Sequence, residues 1–430
     1  MCDRGWIMTS STSLEPRPMA SRPAPTNMSP PPPAVLGEGA GGWGRVDERT
    51  RGRAIPFIDL TRLEPGFLDA WLERVAAISA RTAFVGGEWV ARLEARLARE
   101  AGVAHAIGCA NGTDALQLAL RALGVGPGDT VLLPDLTFWA TLEAVVNVGA
   151  RPVTVDAAEA DLQMDLAAFQ EAAARHRPKA AILAHLYGWV SGQLATYRDW
   201  CRGEGILLLE DGAQSWGALW RGSPLPAGAL VSTVSFYPAK VLGAAGDAGA
   251  VLTNDADLAR TLRQLGNHGR ADHDAHQLVG WNSRLGSLDA AWLDLCLDHL
   301  PARLDARRRA AERYRRELAD LPGWRMVAPP PEQTENGYLS VALVPPERRD
   351  AWAAALAARG VATGRVYPRA VSAQAAAPAV LAGRDAGRVA RAVGAGIINL
   401  PLFAGLRADE AAAVVAAVRD LASEPSPPHP

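Results

Sequence analysis

The sequence of 430 residues is 49% apolar and 21% charged, with 44 basic against 46 acidic side chains and a formal charge of -2. That length exceeds one ordinary core, the near-neutral charge excludes the basic character of a dedicated nucleic-acid binder, and no apolar run has membrane-spanning length. Cys2, Cys109, Cys201 and Cys296 are scattered without CxxC spacing, which points to neither a disulfide framework nor a zinc site.

Residues 1–52 hold Pro16, Pro18, Pro23, Pro25 and the run Pro30 to Pro33, with few aliphatic residues. Such a segment buries too little apolar surface to offset chain entropy and is expected to be disordered. Met1, Met8, Met19 and Met28 all fall in it, so a start of translation at a later methionine is weighed against Met1. No apolar stretch follows a basic start, so no secretory signal is expected and the chain reads as cytoplasmic. From Phe57 onward, short apolar runs predict strands at Ala104–Gly108, Thr130–Leu133, Pro152–Asp156, Ala180–Ala184, Ile206–Glu210, Val231–Phe236 and Gly249–Thr253. Helical periods at Asp114–Ala122, Trp139–Val148, Leu166–Arg175 and Leu194–Glu204 alternate with them. This predicts an α/β fold with a mostly parallel seven-stranded sheet over 53–300, covered on both faces, whose ligands sit at the carboxyl ends of its strands. A long helical region broken at Pro301 follows. Its stretch Arg303–Leu318 carries seven arginines against three acids and is read as a solvated face with local ion pairs. Tyr338–Val344, Arg349–Arg359 and Asp409–Leu421 indicate a smaller α+β domain over 301–422, and 423–430 is a Pro-rich tail expected to be disordered.

Three clusters fall at strand ends. Asn111-Gly112-Thr113-Asp114 opens a helix whose exposed N–H groups and dipole suit a phosphate. An ordinary cap by Thr113 or Asp114 is the plainer alternative. Asp211 ends the run Leu207-Leu-Leu-Glu-Asp-Gly-Ala-Gln-Ser, where a carboxylate can pair with a cationic ring nitrogen or merely cap a loop; Gln214 stands three residues on. Ser235-Phe-Tyr-Pro-Ala-Lys240 presents one of only two lysines in a chain that otherwise uses arginine. A lysine amine can form a Schiff base, which a guanidinium cannot. Together these supply the parts of a pyridoxal phosphate site, with Phe138 adding an aromatic face. His268, His273 and His276 with Asp272 and Asp274 match no zinc spacing, and no metal is expected.

The segments Cys109-Ala-Asn-Gly-Thr-Asp-Ala-Leu, Gly126-Pro-Gly-Asp, Pro134-Asp-Leu-Thr-Phe and His185-Leu-Tyr-Gly, with Glu210-Asp-Gly-Ala-Gln-Ser, Ser235-Phe-Tyr-Pro-Ala-Lys-Val-Leu-Gly, Asn267-His-Gly-Arg and Gly280-Trp-Asn-Ser-Arg-Leu, give the chain its resemblance. From about Phe57 to Leu421 it resembles the DegT/DnrJ/EryC1/StrS sugar aminotransferases, which are fold-type I pyridoxal 5'-phosphate enzymes. The resemblance implies that Lys240 carries the cofactor as an internal aldimine and acts as base and acid. It implies that Asp211 partners the pyridine nitrogen, Gln214 sits near the ring hydroxyl and Phe138 stacks on the ring. Gly112, Thr113 and Ser235 would hold the phosphate, with Asn282 contributed from the other subunit of a homodimer. The amino group would pass from an amino acid, glutamate in the family, to a keto sugar linked to a nucleotide, with ping-pong kinetics. Lys240 argues against the sister deoxygenating group, which has histidine there. The family's GDGG is Gly246-Asp-Ala-Gly, its His-Tyr-Pro is Val366-Tyr367-Pro368, and the histidine usual near the small domain's first strand is replaced around Tyr338. These departures keep open a keto-cyclitol acceptor; a regulatory protein that binds the cofactor without turnover is the other alternative.

Overall fold

A computed structural model of the chain describes residues 54–423 except 273 and 386. The expected Pro-rich segment 1–52 and residues 424–430 lie outside the described residues, whereas Ser423, placed with the tail, closes the last helix.

Helices α1 (Phe67–Ala80) and α2 (Gly87–Ala101) lead into β1 (His105–Cys109), α3 (Gly112–Ala122), β2 (Thr130–Pro134) and α4 (Trp139–Asn147). Then come β3 (Arg151–Val155), α5 (Leu166–His176), β4 (Ala180–Ala184), α6 (Leu194–Glu204) and β5 (Leu207–Asp211). The short β6 (Leu219–Trp220) and β7 (Ser223–Pro224) precede β8 (Val231–Ser235), β9 (Gly249–Thr253), α7 (Ala256–Gly266) and the long α8 (Ser287–Glu317). The chain continues through β10 (Arg325–Met326), β11 (Gln333–Thr334), β12 (Ser340–Leu343), α9 (Pro346–Ala358) and α10 (Ala377–Val380). It finishes with β13 (Gly383–Asp385), α11 (Arg388–Gly396), β14 (Ile397–Leu400) and α12 (Ala408–Ser423).

All seven expected strands form and join one sheet in the order β1-β9-β8-β5-β4-β2-β3-β13. From β8 to β13 neighbours are parallel, and β9 runs antiparallel to both β1 and β8. Every residue of β2 and β4 is buried, as expected of apolar runs covered on both faces. The eighth strand, β13, pairs Gly383–Asp385 with Val153–Val155. Its Gly-Arg-Asp sequence carries no apolar signal, and it comes from the C-terminal region rather than from 53–300. Residues after 320 also build a separate sheet, β10-β12-β14, against α9 and α12.

Two buried carboxylates fasten that later segment to the strand ends. Asp135, fully buried after β2, accepts from the Ser372 backbone N–H at 2.7 Å and the Ser372 hydroxyl at 2.8 Å. Its own carbonyl accepts from Val371 N–H at 2.7 Å. Asp156, after β3, accepts from Val389 and Ala390 N–H at 3.0 and 2.9 Å, filling donor positions that the first turn of α11 leaves open. Burial pushes the Asp135 carboxyl up, and the Ser372 bonds offset only part of that.

Two expectations about α8 are corrected. It does not break at Pro301: the helix runs unbroken from Ser287 to Glu317. Pro301 sits on the exposed face of the helix. Leu297, Leu300 and Leu304 pack around it in one core cluster. Nor do most of its arginines form a solvated face, although Arg309 and Arg316 are exposed. Arg303 grips Glu64 through two bonds, at 2.8 and 2.5 Å, and Arg315 pairs with buried Glu335. Arg308 donates to the Glu335 and Gly217 carbonyls, and buried Arg307 to those of Gly337 and Leu402. Arg308 pairs locally with Asp305, and Arg313 and Arg316 with Glu317; Arg313 also reaches the Ala408 carbonyl. The segment is a scaffold of clamps, which composition could not distinguish from a charged surface.

Candidate active site

The order β8-β5-β4-β2 puts the loops after these four parallel strands at one end of the sheet. Asp211, the last residue of β5, is only 8% exposed. Its partners are two neutral donors: Ala213 N–H at 3.0 Å and, more distantly, the Thr141 hydroxyl at 3.4 Å. Burial pushes the Asp211 carboxyl up, and those donors and the charges of Lys240 and His185 offset it only in part. A carboxylate so placed gains from any cation brought beside it.

At the end of β8 stands Ser235, and α3 begins against it. Asn111 caps α3 by accepting from Asp114 N–H at 2.7 Å, so neither Thr113 nor Asp114 is the cap. The approach is close enough to require glycine. A Cβ on Gly112 would lie 2.6 Å from Ser235 Cβ and 3.0 Å from its hydroxyl. On β9, paired with Ser235, Gly249 is equally constrained, since its Cβ would meet Asn111 backbone atoms at 2.5 Å. The first N–H groups of α3, the half-buried Thr113 and Ser235 thus share one small concavity.

Phe138 opens α4 with 56% of its surface exposed, unusual for a large apolar ring. Its centroid lies 5.7 Å from that of Tyr367 at 33°. Tyr367 in turn accepts from Gln214 Nε2 at 2.8 Å, while Gln214 Oε1 accepts from Tyr187 N–H at 2.7 Å. Asn336 locks the same loop, donating to the carbonyls of Gln214 and Trp216 at 2.8 and 2.9 Å. It also explains Gly188, where a Cβ would meet Asn336 Oδ1 at 2.2 Å. Tyr338, which accompanies Asn336, presents its ring face to Lys240, with Nζ 5.1 Å from the centroid. Tyr338, one of the departures from the family pattern, therefore stands directly against the lysine.

Beneath β4 and β5 lies a buried polar triad. Glu210 Oε2 bonds His185 Nε2 at 2.9 Å, and Arg198 grips both Glu210 oxygens at 2.7 and 2.9 Å. Burial pushes Glu210 up, but the hydrogen bonds from His185 and Arg198 outweigh it and hold the carboxyl below its usual range. The strand ends therefore gather Gly112, Thr113, Phe138, Asp211, Gln214, Ser235 and Lys240. Asn282 stands apart, exposed and bridged by backbone to Asn267. Thr141, Tyr187, Asn336 and Tyr367 were not assigned roles from sequence; for Tyr187 the only signal is the quoted His185-Leu-Tyr-Gly. Among the described residues no three His, Cys, Asp or Glu side chains gather as a metal would require; His273 lies outside them. His276 Nδ1 instead donates to the His268 carbonyl, and Asp272 accepts from Asp274 and Ala275 N–H, which makes a turn. No described helix is long and apolar enough to cross a membrane.

The family model of the DegT/DnrJ/EryC1/StrS aminotransferase family matches residues 69–419. A UDP-N-acetyl-3-dehydro-alpha-D-glucosamine 3-aminotransferase of Acidithiobacillus ferrooxidans is 38% identical, over 86% of this chain and 98% of its own. A dTDP-3-amino-3,4,6-trideoxy-alpha-D-glucose transaminase of Streptomyces venezuelae is 34% identical, over 88% and 98%. Among solved structures, S. venezuelae DesV in complex with a ketimine intermediate superimposes with a TM-score of 0.80 at 34% identity, covering 87% of this chain and 100% of that one.

Proposed function

The chain belongs to the DegT/DnrJ/EryC1/StrS aminotransferase family and is a sugar aminotransferase, and from that premise we propose that it moves an amino group from glutamate to a nucleotide-linked keto sugar, with pyridoxal 5'-phosphate held by Lys240. The observation that carries this reading is the convergence of Asp211, Lys240, Phe138 and the Gly112–Ser235 concavity at one end of the sheet. The family depends on pyridoxal phosphate, and the residues here fit that group. Asp211 is a buried carboxylate without a cationic partner at bonding distance. A Cβ on Gly112 would fill the cradle beside Ser235. The exposed ring of Phe138 offers a face for stacking.

When bound, the cofactor supplies an electron sink that lets a carbon–hydrogen bond beside nitrogen break. Asp211 keeps a proton on the ring nitrogen. Gly112, Thr113 and Ser235 would hold the phosphate through the α3 N–H groups and two hydroxyls. Gln214 uses one amide N–H on Tyr367 and has a second for the ring oxygen. Lys240 Nζ would hold the cofactor and, as a free amine, would take the proton from the donor's α-carbon and deliver one to the sugar carbon that receives nitrogen. Asn282, exposed in the single chain, would complete the phosphate site of a neighbouring copy in a homodimer.

The UDP- and dTDP-linked sugars in the relatives' names support a nucleotide-linked acceptor. The departures from the family pattern at Val366 and Tyr338, the latter against Lys240, keep a keto-cyclitol as second reading. Reconstituted protein should absorb in the visible and lose that band in Lys240→Ala, and glutamate should bleach it. A panel of nucleotide-linked keto sugars and keto-cyclitols then decides the acceptor. A protein that stays colourless overturns the site; turnover of cyclitols alone overturns the nucleotide.

A further inference from the structure

Several part-buried arginines here have an acidic answer: Arg62 meets Glu410, Arg198 meets Glu210, Arg303 meets Glu64, and Arg74 and Arg96 meet Asp294. Around Tyr367 the balance fails. Arg365 and Arg369 lie two residues to either side of it, so each Cα is within about 7 Å of the tyrosine's. Arg349 of α9 joins them. After burial, its charge is the next cause that pushes the Arg365 guanidinium down, with Arg369 adding to it. Among the described residues one carboxylate pairs with two of the three. Asp350 Oδ1 lies 2.6 Å from Arg349 Nη1 and 4.0 Å from Arg365 Nη1, and its side chain is 82% exposed. Three cations less one anion leave a local charge of +2. The Arg349 side chain is only 9% exposed, yet its Nε has no hydrogen-bond partner, and neither has the buried Nε of Arg365.

A buried guanidinium N–H left unmade is costly, and an uncompensated cation more so, so this cluster gains from an anion brought beside it. We propose that Arg349, Arg365 and Arg369 form the seat of a diphosphate group, that of the nucleotide-linked acceptor. Planar guanidinium forks match phosphate oxygens two at a time, and a charge of +2 suits a diphosphate better than a single carboxylate. The position fits as well. Tyr367 meets Phe138 at the reaction site, and the diphosphate of such a substrate is attached directly to the sugar being aminated. Among the described residues Asp350 is the acidic partner at the seat, and it would turn outward as the ligand enters.

The assignment rests on the nucleotide-linked reading above, and the test separates the two. Cofactor-loaded enzyme, Arg365→Gln and Arg369→Gln are titrated calorimetrically with UDP, dTDP, inorganic pyrophosphate and inorganic phosphate. Retention of the cofactor band and of the melting temperature shows that each variant is folded; Arg369, being exposed, is the safer substitution. The expected result is that UDP or dTDP binds wild type, that pyrophosphate competes, and that each variant weakens binding about tenfold or more, with affinity falling as salt rises. A nucleoside diphosphate bound equally well by wild type and both variants overturns the seat and leaves the nucleotide reading intact. Pyrophosphate bound at the arginines while UDP and dTDP are ignored overturns the assignment to a nucleotide substrate and makes this a free-diphosphate site. No binding of any of the four overturns the seat outright.

Discussion

Replacing Gly112 by alanine adds one methyl group at the point where α3 meets β8. The new Cβ would sit 2.6 Å from Ser235 Cβ and 3.2 Å from its Cα, whereas carbon atoms rest at roughly 3.5–4.0 Å. About 1 Å of separation must therefore open. The start of α3 has little room to give, because Ala115, Leu116, Leu118, Ala119 and Leu120 are buried behind it. Overpacking of this kind costs about 1–3 kcal/mol. If that cost falls wholly on the phosphate cradle, cofactor affinity drops by about fivefold to about 150-fold. The assay is an absorbance titration of apo-protein with pyridoxal phosphate, with thermal melting run in parallel. Gly203→Ala serves as control: Gly203 lies in α6, and a Cβ there would meet nothing within 4 Å. Cofactor affinity equal to wild type in Gly112→Ala, with an unchanged melting temperature, refutes the cradle.

Three further outcomes follow from the same geometry. Gly203→Ala should itself stabilise the fold by about 0.5–1 kcal/mol, since glycine inside a helix is entropically costly; a lowered melting temperature contradicts this. Glu210→Ala should cost about 3–5 kcal/mol in urea unfolding, because it strands His185 and Arg198 beneath the sheet; a loss under about 1 kcal/mol would mean the triad is idle. Burial pushes Asp294 up, but Arg74 and Arg96 outweigh it and hold the carboxyl below its ordinary value of 3.8. The stability this lends is full above that value and fades as pH falls through the lower native one. Asp294→Asn should therefore be markedly less stable than wild type at about pH 7, the gap narrowing toward about pH 3. A gap independent of pH removes the argument.

The sheet was legible because each of its seven main strands is a short apolar run with helical texture between, so register errors of a residue or so were the only cost. Gly383–Asp385 escaped because a three-residue edge strand needs no apolar side chain to pair. Pro301 misled because proline's local penalty is overridden when the leucines around it pack into a core. The lysine count narrows the choice for a chemical reason: Lys179 is a surface residue paired with Asp129 at 3.0 Å, which leaves Lys240 as the other side-chain amine. Less of the site's far wall could be read. Tyr367 and Tyr338 reach Gln214 and Lys240 from far along the chain, and no local pattern announces such a meeting. The arginines of α8 show the same limit, since clamps and solvated charges look alike until their partners are placed.

Asp135 and Asp156 give these contacts a practical meaning for redesign. By holding Val371, Ser372, Val389 and Ala390 to the ends of β2 and β3, they add two side-chain anchors to the pairing of β13 with β3 and make 365–390 a cassette indexed to the sheet. Point changes within it alter the wall of the site without altering where that wall stands. A transplant of the segment into a relative carries its geometry only if both aspartates travel with it, and acceptor preference should then be exchangeable as one block.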